Sequence, residues 1–356
     1  MSLAITQLPD FPLGLKNGVG ALHGCQLYVG LGSAGKRFFH LDLDAVSEGW
    51  KACEAFPGTA RNDALMIADE TGLWVFSGAG QPPESRSAQV LTDVYHYCVD
   101  SGRWDKVDTD IPVGLLGASG CEISSGKFAF FGGYNKAIFD SFVAKITSVD
   151  PDEEPEKHHA LLVEFMSRKP EEYHWNQNVL QFDTASSMWH VLMENPFSAN
   201  CGASLIQDGA KVILIDGEIK PGLRSTQVKQ FTFHPFGEIE ASTLPSITSQ
   251  ELEHEGVAGA YSGVLNNQYF VAGGAYFIGS QQRLRERQWY THQGLTKHYN
   301  NQVWRFDGSR WIQAGELPVG SAYGVSITTD KGIVIVGGED NKGNGLTHCY
   351  LMNWNN

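Results

Sequence analysis

The sequence predicts an all-β fold, a six-bladed β-propeller, on three observations. An apolar strand ending in a glycine recurs six times along the chain. Each copy is followed by an aromatic strand and, in most, by a strand led by tryptophan. The opening residues read like the one strand that the last copy lacks. Composition agrees, since 40 glycines in 356 residues, with only 19% charged side chains, suit a loop-rich β protein better than a helical one.

The glycine-ended strands are LYVGLG at Gly32, WVFSG at Gly78, FAFFGG at Gly133, VILIDG at Gly217, YFVAGG at Gly274 and IVIVGG at Gly338. The partners that follow are FFHLDL, DVYHYCVD, NVLQFDTA, VKQFTFHP, QVWRFDGS and HCYLMNW, all alternating as half-buried strands do. A third strand starts at Trp50, Trp104, Trp189 or Trp311, with Ile239 standing in for the tryptophan in the fourth copy, and most copies close on a proline. Short stretches of small residues such as GVGAL, CGASLI and AYGVSI precede the glycine strands. Small side chains suit the innermost strand, where the blades converge on a narrow channel. These are the marks of a kelch repeat of ~50 residues. The last copy stops at HCYLMNW, and the opening AITQLP resembles IQAGELP and IEASTLP, so the N-terminal strand is expected to complete the sixth blade. That closure removes an open sheet edge.

Residues 1–356 therefore form a single propeller domain with two insertions, at about 135–177 and 275–300. The first contains DPDEEPEKHHALLVEFMSRKPEEYHW, whose middle has helical spacing and whose acidic start, Asp150 to Glu156, reads as a solvated face. The second carries Arg283, Arg285, Arg287, Trp289, Tyr290 and His292, which together read as a lid. Strands alternate in direction, so the loop after each glycine strand and the linker between blades emerge on one face. Both insertions wall that face.

A net charge of -14 makes nucleic acid or an anionic membrane a poor partner, because phosphate contacts need clustered Lys and Arg. No apolar run reaches bilayer-spanning length. The chain opens with no charged-then-apolar leader, although Met1-Ser2-Leu3 could stand where an export signal has been removed. The six cysteines show no metal or redox spacing and fall mostly in apolar strand patterns. His158 and His159 lack a third ligand at sensible spacing, so no metal is assigned.

The stretch with most chemistry is IDGEIKPGLRST, residues 215–226. A strand ends in Gly217, Glu218 follows at once, and Arg224 arrives six residues later behind a Pro-Gly turn. Only Glu339 also puts a carboxylate directly after the glycine; the other copies have Ser33, Ala79, Tyr134 and Ala275 there. The repeat itself does not demand an acid at this place. Arg61, in PGTARND between the first two copies, is expected to rise on the same face.

GEIKPGLR, together with GLGSAG, AFPGTAR, GGYNKAIF, YTHQGL and AYGVS in that order, resembles the bacterial N-acetylneuraminate epimerase family, the sialic acid mutarotases built on a six-bladed kelch propeller. The resemblance implies interconversion of the α and β anomers of N-acetylneuraminate, with Glu218 as the catalytic glutamate and Arg224 as the arginine that anchors the substrate. It also places Arg61 and Tyr323 in shared strings as substrate-binding candidates. The implied partner is a small sugar acid; no metal or organic cofactor is required, and a homodimer is left open. Family members are exported, which implies the periplasm; the cytoplasm is the alternative, for which the six cysteines speak. Three rivals are a kelch protein-interaction module, a sialidase-like hydrolase, whose aspartate-box repeats are not visible, and a copper-radical oxidase, whose Tyr, His and Cys set cannot be assembled here.

Overall fold

The computed structural model describes residues 2–247 and 254–355. Among these residues, six four-stranded antiparallel sheets follow one another around a central channel. Blades 1 to 5 span 19–52, 65–107, 119–194, 204–244 and 261–316; blade 6 joins 325–355 to the N-terminal strand Ser2–Gln7. That strand pairs antiparallel with Cys349–Asn355, from Ser2 opposite Asn355 to Gln7 opposite Tyr350. The ring is thus closed by its own two ends, as the sequence predicts.

The alternation read in the sequence becomes packing between blades. Six buried clusters, one per interface among the described residues, join each blade to the next. Tyr28 and Phe38 of blade 1 meet Tyr97 and Trp104 of blade 2, for example, with Phe38 and Trp104 centroids 5.1 Å apart. The recurring tryptophan and proline prove to be linked. Trp50 Nε1 donates to Pro9 O (2.9 Å), Trp311 to Pro245 O (2.9 Å) and Trp104 to Glu54 O (3.1 Å), each in the segment that ends the preceding blade. These three indoles tie neighbouring blades together through a backbone acceptor, whereas the indole N–H of Trp189 is buried with no partner among the described residues.

The linkers between blades make a second closure that the sequence does not announce. Asn17, Asp63, Gly117, Gly202, Gly259 and Tyr323 occupy equivalent places, all with φ between 52° and 68°. Asn17 N donates to Tyr323 O, Tyr323 N to Gly259 O, Gly259 N to Gly202 O, Gly202 N to Gly117 O, Gly117 N to Asp63 O and Asp63 N to Asn17 O, over 2.7–3.1 Å. Six backbone hydrogen bonds therefore circle the channel mouth. Glycine, asparagine and aspartate accept this left-handed conformation readily, whereas an aromatic residue there is strained. Tyr323 is the exception, and it lies in the candidate site.

The first insertion folds as two helices, α1 (Lys136–Thr147) and α2 (Pro155–Met166). The second helix lies where the spacing places one. The first was not anticipated; it starts at Asn135, whose side chain caps Ile138 N at 3.1 Å. Phe142 of α1 stacks on Phe165 of α2 with centroids 3.7 Å apart. Asp150 to Glu156 are exposed, as expected of a solvated face. The second insertion is a hairpin, Ala275–Phe277 with Lys297–Tyr299, carrying a short helix, α3 (Ser280–Arg285). No helix among the described residues is long and apolar enough to cross a membrane.

Candidate active site

A cavity of about 560 Å³ opens at the channel mouth, lined from all six blades or their linkers, with Asn17, Asp63, Tyr134, Glu218 and Tyr323 among its polar walls. The fold brings these residues together by repetition. The residue after each glycine strand pairs with the residue before each left-handed linker position, as in the bridges Asn62 to Ala79, Cys201 to Glu218 and Ala322 to Glu339. Ser33, Ala79, Tyr134, Glu218, Ala275 and Glu339 therefore form one tier around the mouth, stacked on the tier of left-handed residues.

Glu218 and Arg224 face each other across a short hairpin, Glu218–Lys220 with Leu223–Arg224, whose turn is Pro221-Gly222. Arg224 Nη2 lies 3.2 Å from Glu218 Oε1, which also accepts the Gly222 N–H at 3.2 Å. Glu218 Oε2 takes no hydrogen bond from any described residue. Gly222 has φ 79°, and a Cβ there would lie 1.8 Å from His292 Nδ1, so the lid histidine packs directly on the turn. Burial, then the charges of Arg224, Lys220 and Arg283, push the His292 imidazole down to about 4; it stays neutral against the cations beside it.

The guanidinium of Arg224 is 1% exposed. Its Nε donates to Ala275 O (3.1 Å), Nη2 also reaches the Tyr323 hydroxyl (3.3 Å), and the Phe277 ring lies 4.8 Å from Cζ. Its Nη1 is buried with no partner among the described residues. Arg224 does not itself border the cavity; it stands behind Glu218 and Tyr323, which do.

Arg61 borders the same cavity, but its side chain is turned to other work. Its Nη1 and Nη2 grip both oxygens of Asp93 at 2.6 and 3.1 Å, Nη1 also donates to Ser77 O, and Nε donates to Thr59 O. Phe56 and Tyr95 cover its faces. This pairing with Asp93 ties the linker between blades 1 and 2 to blade 2.

The whole-chain comparisons agree with one another. A family model described as N-acetylneuraminate epimerase matches residues 8–356. The chain belongs to the N-acetylneuraminate epimerase family. A protein from Vibrio vulnificus named N-acetylneuraminate epimerase is 40% identical over 100% of this chain and 93% of its own, and one of that name from Brucella melitensis is 40% identical over 99% and 92%. A Vibrio cholerae protein named as kelch domain-containing is 42% identical over 99% of both chains. The solved structure titled "Structure of YjhT" superposes with a TM-score of 0.90 at 32% identity, covering 96% of this chain and 95% of that one. The family is one of isomerases, so the protein is an enzyme and not only a binding ring.

Other features of this epimerase-family site escape sequence reasoning. Lys220 is fully buried, and its Nζ donates to Met166 O (2.8 Å), Arg168 O (2.5 Å) and Trp289 O. One lysine on the Glu218–Arg224 hairpin thus holds the end of α2 and the lid loop at once; burial pulls its ammonium down to about 8. Glu339, the other carboxylate of its tier, is saturated. Lys16 Nζ meets Oε2 at 2.6 Å, while Lys297 Nζ (3.2 Å) and the Tyr299 hydroxyl meet Oε1. Burial alone would raise its carboxyl, yet these partners hold it below the usual range. A smaller cavity of about 310 Å³ lies beside residues 254–257, but its charged groups are committed: His254 bonds Asp216 at 2.7 Å and Glu255 accepts from Gly279, Ser280 and Gln281. Among the described residues, Cys25, Asp42 and Asp44 bring donor atoms within 4.8 Å of one another at a partly exposed corner of blade 1, on the face away from the cavity.

Proposed function

We propose that the protein interconverts the α and β anomers of N-acetylneuraminate, with Glu218 moving the protons and Arg224 holding the sugar's carboxylate. The observation that carries this reading is the pair of buried Arg224 and partly exposed Glu218, 3.2 Å apart, with Glu218 in the wall of a cavity of about 560 Å³. That volume falls within the roughly 300–1,000 Å³ of small-ligand sites. Relatives at 40% identity are named for this sugar.

A cyclic hemiketal changes anomer by opening. The anomeric hydroxyl loses its proton, the bond from that carbon to the ring oxygen breaks, and the ring oxygen is protonated. The carbonyl then presents its other face and the ring recloses. A positioned carboxylate can take and return these protons, an effect worth roughly 100 to 10,000-fold. Glu218 suits it because one oxygen is fixed by Arg224 and Gly222 while Oε2 is free of protein partners. The sugar's own carboxylate sits on the anomeric carbon, so a guanidinium that binds it also places the reacting centre. Nη1 of Arg224 is the unspent donor for that contact. Glu218 and Tyr323 stand between this guanidinium and the cavity, so a ligand reaches it only when one of these side chains moves aside.

Tyr323 would bind substrate through the hydroxyl that Arg224 already orients. The strained backbone at Tyr323 holds that hydroxyl in the mouth. A freshly dissolved single anomer, followed by NMR, is expected to reach equilibrium faster with protein than without. Equal rates would end this reading, and release of free sugar from a sialoside would replace it with a hydrolase.

A further inference from the structure

The mouth holds a third carboxylate that the Glu218–Arg224 pair does not use. Asp63 lies in the linker between blades 1 and 2 and borders the same cavity as Glu218. Its backbone is fixed by two bonds of the circular set, its N–H to Asn17 O (3.0 Å) and its carbonyl from Gly117 N (3.1 Å). Asn17 Nδ2 donates to its Oδ1 at 2.7 Å, and Oδ2 takes no hydrogen bond from a described residue. The side chain is partly buried, with one oxygen held and the other spare.

Opening a hemiketal needs a base and an acid together. The guanidinium of Arg224 holds its proton too tightly to serve as the acid. We propose that Asp63 is the general acid of ring opening, giving its proton to the sugar's ring oxygen while Glu218 takes the proton of the anomeric hydroxyl. This rests on the reading of Glu218 above and extends it. In the step the anomeric O–H pair becomes the second bond of the new carbonyl, and the pair of the breaking carbon–oxygen bond stays on the ring oxygen, which accepts the Asp63 proton. Reclosure on the other carbonyl face returns the hydroxyl proton to Asp63 and the Glu218 proton to the new anomeric oxygen. Nothing is oxidised or reduced, and both carboxyls end as they began.

The surroundings favour a protonated Asp63. Burial, with the carboxylates of Glu218 and Glu339, pushes its carboxyl up to about 6, against the opposing pull of the Asn17 hydrogen bond and the Lys297 charge. Tyr134, Tyr323 and Cys201 also face it, and burial raises all three so that they stay neutral near pH 7. Arg61, two residues away, is neutralised by Asp93. At pH 7 about a tenth of molecules would carry the proton, rising to half near pH 6.

The test is the catalysed anomerisation of N-acetylneuraminate, followed by NMR from pH 5 to 8, in the parent and in Asp63→Asn, Asn17→Gly and Glu218→Gln. Asparagine accepts the left-handed backbone of position 63, so the first variant should fold. Parental kcat/KM should fall as pH rises through about 6, where Asp63 loses its proton. Asp63→Asn should be roughly 100-fold slower at pH 5.5 and lose that fall. Asn17→Gly, which keeps the left-handed backbone, should move the fall to higher pH, because the hydrogen bond it removes holds the carboxyl down. An Asp63→Asn enzyme as fast as the parent, or slower with the fall intact, would overturn the assignment while Glu218→Gln remains inactive. A parent that gives no acceleration at any pH would overturn the Glu218 reading and this one together.

Discussion

Glu218 and Glu339 occupy the same place in two copies of one repeat, and the protein treats them oppositely. Both follow the glycine of their strand and bridge to the preceding linker. Glu339 is held at both oxygens by Lys16, Lys297 and Tyr299. Glu218 is held at one oxygen by a buried arginine, and the other takes no hydrogen bond from a described residue. The difference arises outside the slot. The loop after Glu218 makes a tight Pro-Gly hairpin that returns Arg224 to it, whereas the partners of Glu339 come from the segment between the N-terminal strand and blade 1 and from the lid hairpin. A repeat fold can thus place identical acids around a ring and let neighbouring loops decide which one keeps an unpaired oxygen.

The sharpest way to break this contrast is Glu218→Gln, expected to lose roughly 100 to 10,000-fold in anomerisation rate with little change in melting temperature. Arg224→Lys should come next, at about 10 to 100-fold in kcat/KM with most of it in KM, because a lysine cannot keep the forked contact to a carboxylate. Lys220→Met tests the walls and not the acids. Three carbonyls lose their donor, so stability should drop by roughly 1–3 kcal/mol in chemical denaturation, with faster proteolysis in the two insertions. Asp63→Asn should raise stability at pH 8 by about 1–3 kcal/mol and leave it unchanged at pH 4. The sign follows because the folded carboxyl, at about 6, lies above its unfolded value of 3.8, so ionisation in the fold is a penalty that grows as pH rises through about 6 and vanishes below the unfolded value. Smallest of all, Glu339→Gln should change the rate less than about fivefold and cost about 1 kcal/mol, since its lysines remain about one-third exposed.

Much of the ring was legible because each blade repeats its physical needs. Glycine after the second strand and aromatic or apolar alternation in the third recur six times, a tryptophan in the fourth recurs four times, and AITQLP reveals the closing strand by likeness to its siblings. Glu218 and Arg224 were legible because they lie only six positions apart. What stayed hidden is non-local. Arg61 and Asp93 lie 32 residues apart, so the partner that absorbs the arginine's charge has no sequence signature. Lys220 reads as a loop cation until α2 and Trp289 are seen to converge on it. The left-handed circle is spelled Asn, Asp, Gly, Gly, Gly, Tyr, and a tyrosine conceals the pattern that the other five would show. Helix α1 was missed because its hydrophobic face packs on α2, a contact that neither segment declares alone.

The central claim, that one of two equivalent carboxylates is chemically active, is met most directly by measuring anomer exchange of N-acetylneuraminate by selective-inversion NMR with Glu218→Gln and Glu339→Gln at equal protein concentration. The account predicts the uncatalysed rate for the first and a rate within about fivefold of the parent for the second. Catalysis that survives in the Glu218 variant, or disappears only in the Glu339 variant, would contradict it.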